Sequence, residues 1–237
     1  MQVLLLAGGF GTRLAEETDF IPKPMVEIGG VPILHHIINY YSNFGHTDFI
    51  IALGYKSEVI IEYFNKIKKS TNEQGLVIQL VDTGLETSTG GRIKRVYEKL
   101  ETEFFMTYGD GLSNVNLDAL LKKHQESNVI ATLTAVKPPP RFGTIEISNG
   151  LVTRFSEKNP ADTNWINGGF FCMKKEICDY IPDDKTALES EPLNNLVING
   201  QLGAYEHDGW WHPMDTLRDK RTLEEIWQTK KAPWLKS

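Results

Sequence analysis

The chain has 237 residues with 41% hydrophobic and 24% charged content, enough for a sizeable core in one globular domain. A formal charge of −6 argues against a nucleic-acid-binding surface but leaves room for a local basic pocket. No stretch approaches the roughly 20 apolar residues of a membrane-crossing helix, and the first apolar run is too short for a signal peptide, so a cytoplasmic protein without membrane contact is expected.

In chain order, the apolar run Gln2 to Ala7 reads as a buried strand. Gly8-Gly9-Phe10-Gly11-Thr12-Arg13 then forms a tight loop. Val31 to Phe44 places Ile33, Leu34, Ile37, Ile38 and Tyr41 at helical intervals, with Gly45 as C-cap. Phe49 to Leu53 is a second strand, Val59 to Ile67 a second helix, and the polar stretch Lys68 to Gln74 a surface loop. Val77 to Val81 is a third strand. Thr89-Gly90-Gly91 opens a short amphipathic helix with Ile93, Val96 and Leu100. Phe104 to Tyr108 is a fourth strand, closed by Gly109-Asp110-Gly111. This alternation predicts a parallel sheet with covering helices and a ligand edge beyond the carboxyl ends of the strands.

Leu117 to Gln125 reads as helix and Ile130 to Val136 as strand, after which Pro138-Pro139-Pro140 breaks both patterns. Gly143 to Ser148 and Leu151 to Phe155 flank Asn149-Gly150, the signal of a type I′ hairpin. Asn164 to Met173 is a strand whose Gly168-Gly169 marks a bulge or a close ligand approach. Pro192 to Val197 and Leu217 to Trp227 read as helices. The fold class is therefore α/β: a Rossmann-like mixed, mainly parallel sheet flanked by helices, with a smaller, more antiparallel second part. Cys172 and Cys178 match neither a zinc spacing nor a disulfide framework and read as reduced core residues.

The chemistry gathers at the ligand edge. Glycines after the first strand let backbone amides approach an anion, and Arg13 and Lys23 add two positive side chains. A triphosphate is the expected ligand. The run lacks the third glycine of the dinucleotide fingerprint and the G-K-[ST] of a Walker A loop. Asp110 is either a turn aspartate or a Mg²⁺ ligand, since Mg²⁺ takes one or two carboxylates plus substrate phosphates. Asp215 is either a helix N-cap or a second such ligand. Glu157, Lys158, Asn167 and Gly168 form a mixture suited to a sugar phosphate. His35 and His36 sit among apolar helix residues and read as structural.

The segments L-L-A-G-G-F-G-T-R-L, P-K-P-M-V, D-T-G, T-G-G-R, Y-G-D-G, R-F-G, N-G-G-F-F and P-M-D-T-L-R-D-K run through nearly the whole chain. Together they resemble the sugar-phosphate nucleotidyltransferases, with D-T-G, T-G-G-R and M-D-T-L-R-D-K pointing to the cytidylyl branch. The resemblance implies one nucleotidyltransferase domain, with 1–136 binding nucleotide and 137–237 binding sugar phosphate. It implies CTP and a sugar 1-phosphate as substrates, Mg²⁺ as cofactor, a homo-oligomer, and a role in surface-polysaccharide (O-antigen) synthesis. Gly8, Gly9, Gly11 and Thr12 would cradle the nucleotide, with Leu6, Ala7 and Gly109 beside them and Thr89 and Gly90 at the base. Arg13, Lys23 and Asp110 would be catalytic, and Asp110 and Asp215 would hold the metal. Tyr108, Arg141, Gly143, Glu157, Lys158, Asn167 and Gly168 would receive the sugar phosphate. Two departures stand out: a shortened Lys66 to Leu76 segment, and Glu157-Lys158-Asn159-Pro160 where the family has E-K-P. The residues by themselves leave open another nucleotide (UTP, dTTP or GTP), another phosphorylated acceptor, and a nucleotide-sugar-binding protein without turnover.

Overall fold

A computed structural model describes residues 1–11, 21–138, 144–156 and 164–235. Strand β1 (Val3–Leu6) is buried at all four positions. Val3 and Leu5 enter one core cluster and Leu4 and Leu6 the other, so this strand is covered on both faces. A short antiparallel pair follows, β2 (Glu27–Ile28) and β3 (Val31–Pro32), and leads into α1 (Ile33–Asn43). The expected Gly45 stop is present, at φ +79°. Next come β4 (Asp48–Leu53), α2 (Ser57–Glu73), β5 (Val77–Asp82) and α3 (Thr89–Arg95).

Residues 68–73, read as loop, instead continue α2. The stretch lacks apolar periodicity because it is almost wholly solvent-facing, and a helix needs only its own backbone bonds to extend. Thr71 is its buried exception, donating to the Lys68 carbonyl at 3.0 Å.

The chain continues through β6 (Glu103–Tyr108), β7 (Gly111–Ser113), α4 (Leu117–Ser127) and β8 (Ala131–Val136). The hairpin β9 (Thr144–Ser148) and β10 (Leu151–Ser156) turns at Asn149 and Gly150, φ +51° and +79°, as a type I′ turn requires. Then follow β11 (Ile166–Lys174), α5 (Glu191–Ile198), β12 (Leu202–His207), β13 (Trp211–Pro213) and α6 (Leu217–Gln228).

Among the described residues the main sheet has seven strands in the order β12-β8-β11-β6-β1-β4-β5. All neighbouring pairs are parallel except those made by β11, which runs against β6 and β8. The antiparallel character of the second half is thus confined to β11 and the small β9–β10 and β7–β13 pairs, while β8 and β12 extend the parallel sheet. Edge strand β12 was not legible in the sequence: its Gly203 and half-exposed positions blur the alternation.

The expected Gly168-Gly169 irregularity is a register shift between Asn167 and Phe171, with Gly169 at φ +79°. Cys172 and Cys178 are buried free thiols, both with pKa raised by burial. No helix among the described residues is long and apolar enough to cross a membrane.

Candidate active site

The carboxyl ends of β1 and β6 and the start of β11 open into a cleft of about 720 Å³. Among the expected residues, Leu6, Ala7, Gly8, Gly9, Gly11, Lys23, Thr89, Tyr108, Gly109, Asp110, Asn167 and Asp215 line it. Gly168 lines an adjoining hollow of about 50 Å³ that shares Tyr108, Asp110, Asn167 and Trp211 with the cleft. Gly90 lies outside both linings. A Cβ there would stand 2.7 Å from the Thr186 carbonyl oxygen, so the glycine permits close packing beneath the neighbouring loop. Thr12, Arg13, Arg141, Gly143, Glu157 and Lys158 fall outside the described residues.

Local pairing explains how carboxylates 105 positions apart meet. Strand β7 pairs with β13 in antiparallel register, Gly111 opposite Pro213, and the Met214 amide donates to the Asp110 carbonyl at 2.8 Å. Asp110 and Asp215 therefore flank the same two-stranded ribbon. Asp215 is not the cap of α6. Thr216 is, in a capping box with Asp219, and this leaves the Asp215 carboxylate for the cleft.

Lys23 completes the group. Pro22 and Pro24 bracket it in a 3-10 turn, Lys23–Met25, which buries the side chain. Its Nζ donates to Asp110 Oδ2 at 2.7 Å and to Asp215 Oδ1 at 2.8 Å. Burial alone would lower the Lys23 pKa, but the Asp110 carboxylate, with Asp215 behind it, outweighs that and holds it above the usual lysine value. The ammonium expected on phosphate thus joins the two carboxylates expected on metal. Two carboxylate oxygens converging on one cation, beside an open cleft, are a donor set that fits a hard divalent ion such as Mg²⁺ completed by substrate phosphates.

Arg92 organises the glycine loop, a role that sequence reasoning missed. It is 4% exposed. Its Nη1 donates to the Leu53 carbonyl (2.8 Å), Thr83 Oγ1 (2.7 Å) and the Gly84 carbonyl (2.8 Å), and its Nη2 to the Gly8 carbonyl (2.9 Å). One cation therefore ties together the turns after β1, β4 and β5. Its pKa is lowered, chiefly by desolvation, because its partners are carbonyls and a hydroxyl rather than a carboxylate.

The Gly8 carbonyl also accepts from the Tyr55 amide at 3.1 Å. In a trans peptide the following N–H points the opposite way, so this clamp turns the Gly9 amide away from the core and leaves it free for an anion. Glycine is required here because a Cβ on Gly8 would lie 2.2 Å from Arg92 Nη1.

Glu189 is a second residue the sequence did not single out. It lines the cleft, and its carboxylate accepts from Thr89 Oγ1 at 2.6 Å and from the Tyr108 hydroxyl.

The nucleotidyl transferase family model matches residues 2–219. The glucose-1-phosphate cytidylyltransferase of Salmonella typhi is 47% identical over 253 residues, covering 99% of this chain and 98% of that protein. A probable glucose-1-phosphate cytidylyltransferase of Bacillus subtilis is 39% identical with 99% of each covered. In three dimensions, HddC from Yersinia pseudotuberculosis superposes with a TM-score of 0.76 over 95% of this chain and 99% of that one, at 26% identity. With one family spanning the glycine loop, the β7–β13 ribbon and the sheet between them, the chain belongs to the nucleotidyl transferases.

Proposed function

We propose that the protein transfers a cytidylyl group from CTP to α-D-glucose 1-phosphate, giving CDP-glucose and pyrophosphate. The observation that carries this reading is the likeness, end to end, to glucose-1-phosphate cytidylyltransferases. A phosphate oxygen of the sugar 1-phosphate attacks the α-phosphorus, a new P–O bond forms, and the bond to the bridging oxygen breaks with its electron pair leaving on pyrophosphate. The attacking group is already an anion at neutral pH, so no general base is needed, and catalysis reduces to positioning and charge stabilisation.

Each part of the cleft has a place in that reaction. The amides of the Gly8-Gly9 loop, held by Arg92, receive the triphosphate. Lys23 stays charged across the physiological range and neutralises phosphate oxygens, with Arg13 in the same role by family resemblance. Asp110 and Asp215 would hold Mg²⁺, which supplies charge neutralisation on the phosphates when bound. Tyr108, Asn167 and Gly168 line the acceptor side, joined by Lys158, Glu157, Arg141 and Gly143 through the resemblance. Residues 1–136 serve mainly the nucleotide and 137–237 mainly the acceptor, with Tyr108 and Asp215 crossing that division. A cytoplasmic homo-oligomer supplying surface-polysaccharide synthesis belongs to the same reading, and the free buried thiols are consistent with a reducing compartment.

The test is a panel of CTP, UTP, dTTP and GTP crossed with sugar 1-phosphates, scored by pyrophosphate release. The largest kcat/KM is expected for CTP with glucose 1-phosphate. A higher value for another pair reassigns the substrates, and binding without pyrophosphate release makes the protein a non-catalytic binder. Arg13→Ala should lower kcat by about a hundredfold, the cost of one lost transition-state contact of roughly 3 kcal/mol. Turnover near the wild-type rate would remove Arg13 from the mechanism.

A further inference from the structure

We propose that the Glu189 carboxylate is a further substrate-binding group, accepting hydrogen bonds from two adjacent hydroxyls of the sugar 1-phosphate. The inference rests on the transfer reaction proposed above and adds a specificity determinant to it. Glu189 lies in the loop before α5 and opens into the cleft. One donor holds each of its oxygens: Thr89 Oγ1, 2.6 Å from Oε2, and the Tyr108 hydroxyl on Oε1. Both anchors sit on ordered backbone: Thr89 Oγ1 accepts from the Leu188 amide at 2.9 Å, and Tyr108 ends strand β6 beside Asn167 in the cleft lining. No lysine or arginine among the described residues pairs with this carboxylate.

A carboxylate that no described lysine or arginine neutralises, in a cleft built for polyanions, repels phosphate. It must face a part of the substrates that is uncharged and rich in donors. Each carboxylate oxygen can accept two hydrogen bonds, so after Thr89 and Tyr108 one position remains on each. Two adjacent hydroxyls fill both positions, whereas the single amino group of a cytosine fills one.

Adjacent hydroxyls occur on the hexose and on the ribose, and placement favours the hexose. Tyr108, bonded to Glu189, also lines the small hollow beside Asn167, Gly168 and Trp211. That hollow is fixed in turn by Trp211 Nε1 donating to the Gly168 carbonyl at 2.7 Å. Asn167 is held as well, its Oδ1 accepting from the Gly169 amide at 2.9 Å, so the carboxylate faces a preorganised pocket.

The experiment compares wild type with Glu189→Gln, using CTP, 2′-deoxy-CTP, glucose 1-phosphate and its 2-, 3- and 4-deoxy analogues. Glu189 is exposed, so the variant keeps the fold, and a thermal melt checks this. Glu189→Gln should raise KM for glucose 1-phosphate about tenfold, while KM for CTP stays within about twofold. For two neighbouring deoxy positions the losses should be non-additive: the variant should not discriminate further against a substrate that lacks the hydroxyl its carboxylate would have bound. Tyr108→Phe, which removes one anchor, should raise the same KM and spare that of CTP. Additive losses with every deoxy sugar, or non-additivity with 2′-deoxy-CTP instead, would overturn the proposal. If wild type releases no pyrophosphate from CTP and glucose 1-phosphate, the functional reading fails first. If it does and Glu189→Gln matches it on every substrate, this proposal alone fails.

Discussion

Three turns, those after β1, β4 and β5, are tied to the buried Arg92, whereas the β9–β10 hairpin turns Ile145, Ile147, Val152 and Phe155 to solvent. In the first region backbone carbonyls find their partners inside the protein, and the resulting loop geometry is over-determined. In the second, cross-strand pairs Ile147–Val152 and Ile145–Phe155 share one exposed face. An Arg154–Glu146 ion pair at 3.0 Å, half in solvent, adds little. Two-stranded hairpins are marginal by themselves. The contrast teaches where shape is fixed in advance: at the glycine loop after β1, whose Gly8 carbonyl is held by Arg92 and Tyr55, and not at the hairpin.

Substitutions can break this contrast or sharpen it. Arg92→Met should have the largest effect, about 3 kcal/mol of stability, because several buried acceptors lose their donor. Leu53 and Gly8 carbonyls keep their amide partners at 3.0 and 3.1 Å, which limits the damage. For a chain of this size that is a fall in Tm of roughly 6–12 °C. An unchanged Tm would mean that the three turns hold without the clamp.

Gly8→Ala comes next. Its new Cβ meets a guanidinium that is bonded on several sides and cannot swing aside. KM for CTP should rise about tenfold, roughly 1.4 kcal/mol, with a smaller effect on KM for glucose 1-phosphate. Equal changes in both would place the loop elsewhere than at the triphosphate.

A third effect comes from the core. His35, His36, His46, His124 and His207 all have pKa values lowered chiefly by burial. His36 is the example: it is 3% exposed, packs edge-on against Trp227 and Trp234, and its burial outweighs the Ile28 carbonyl bond at 2.9 Å, which by itself would raise the value. Below about pH 6.5 the unfolded chain takes up protons that the folded chain refuses. Stability is therefore full near neutrality and falls as pH drops below 6.5 toward the folded values. Melts at pH 7.5 and 5.5 check this, and a higher Tm at the lower pH would contradict it. The smallest effect belongs to the hairpin: Ile147→Thr should change stability by less than about 0.5 kcal/mol. A larger loss would show that this face is covered in solution.

Much of the site was legible because it consists of motifs that act locally. A strand followed by glycines makes an amide-lined loop wherever it sits, and Pro-Lys-Pro fixes its lysine through two restricted neighbours. The rest depends on closure in space. Arg92 reads only as the end of the T-G-G-R segment, with no role of its own, until the turns bearing Gly8, Leu53 and Gly84 come together around it. Glu189 lies in a polar loop and gains meaning only from Thr89 and Tyr108, which are 100 and 81 positions away. Asp215 and Thr216 are both cap-forming residues, and only the Asp219 carboxylate, bonding the Thr216 amide at 2.9 Å, decides between them. Gly90 belonged to a motif read as ligand-facing, yet the space beside its Cα is filled by the Thr186 carbonyl.

The central claim is that chemistry occurs where the β7–β13 ribbon brings Asp110 and Asp215 onto Lys23. Its most direct test is the rate of pyrophosphate release by Asp110→Asn at saturating CTP and glucose 1-phosphate with Mg²⁺. The account predicts a kcat lowered about a hundredfold with a cooperative melt retained. A variant that folds and turns over within about threefold of wild type, less than 1 kcal/mol in barrier, would contradict it.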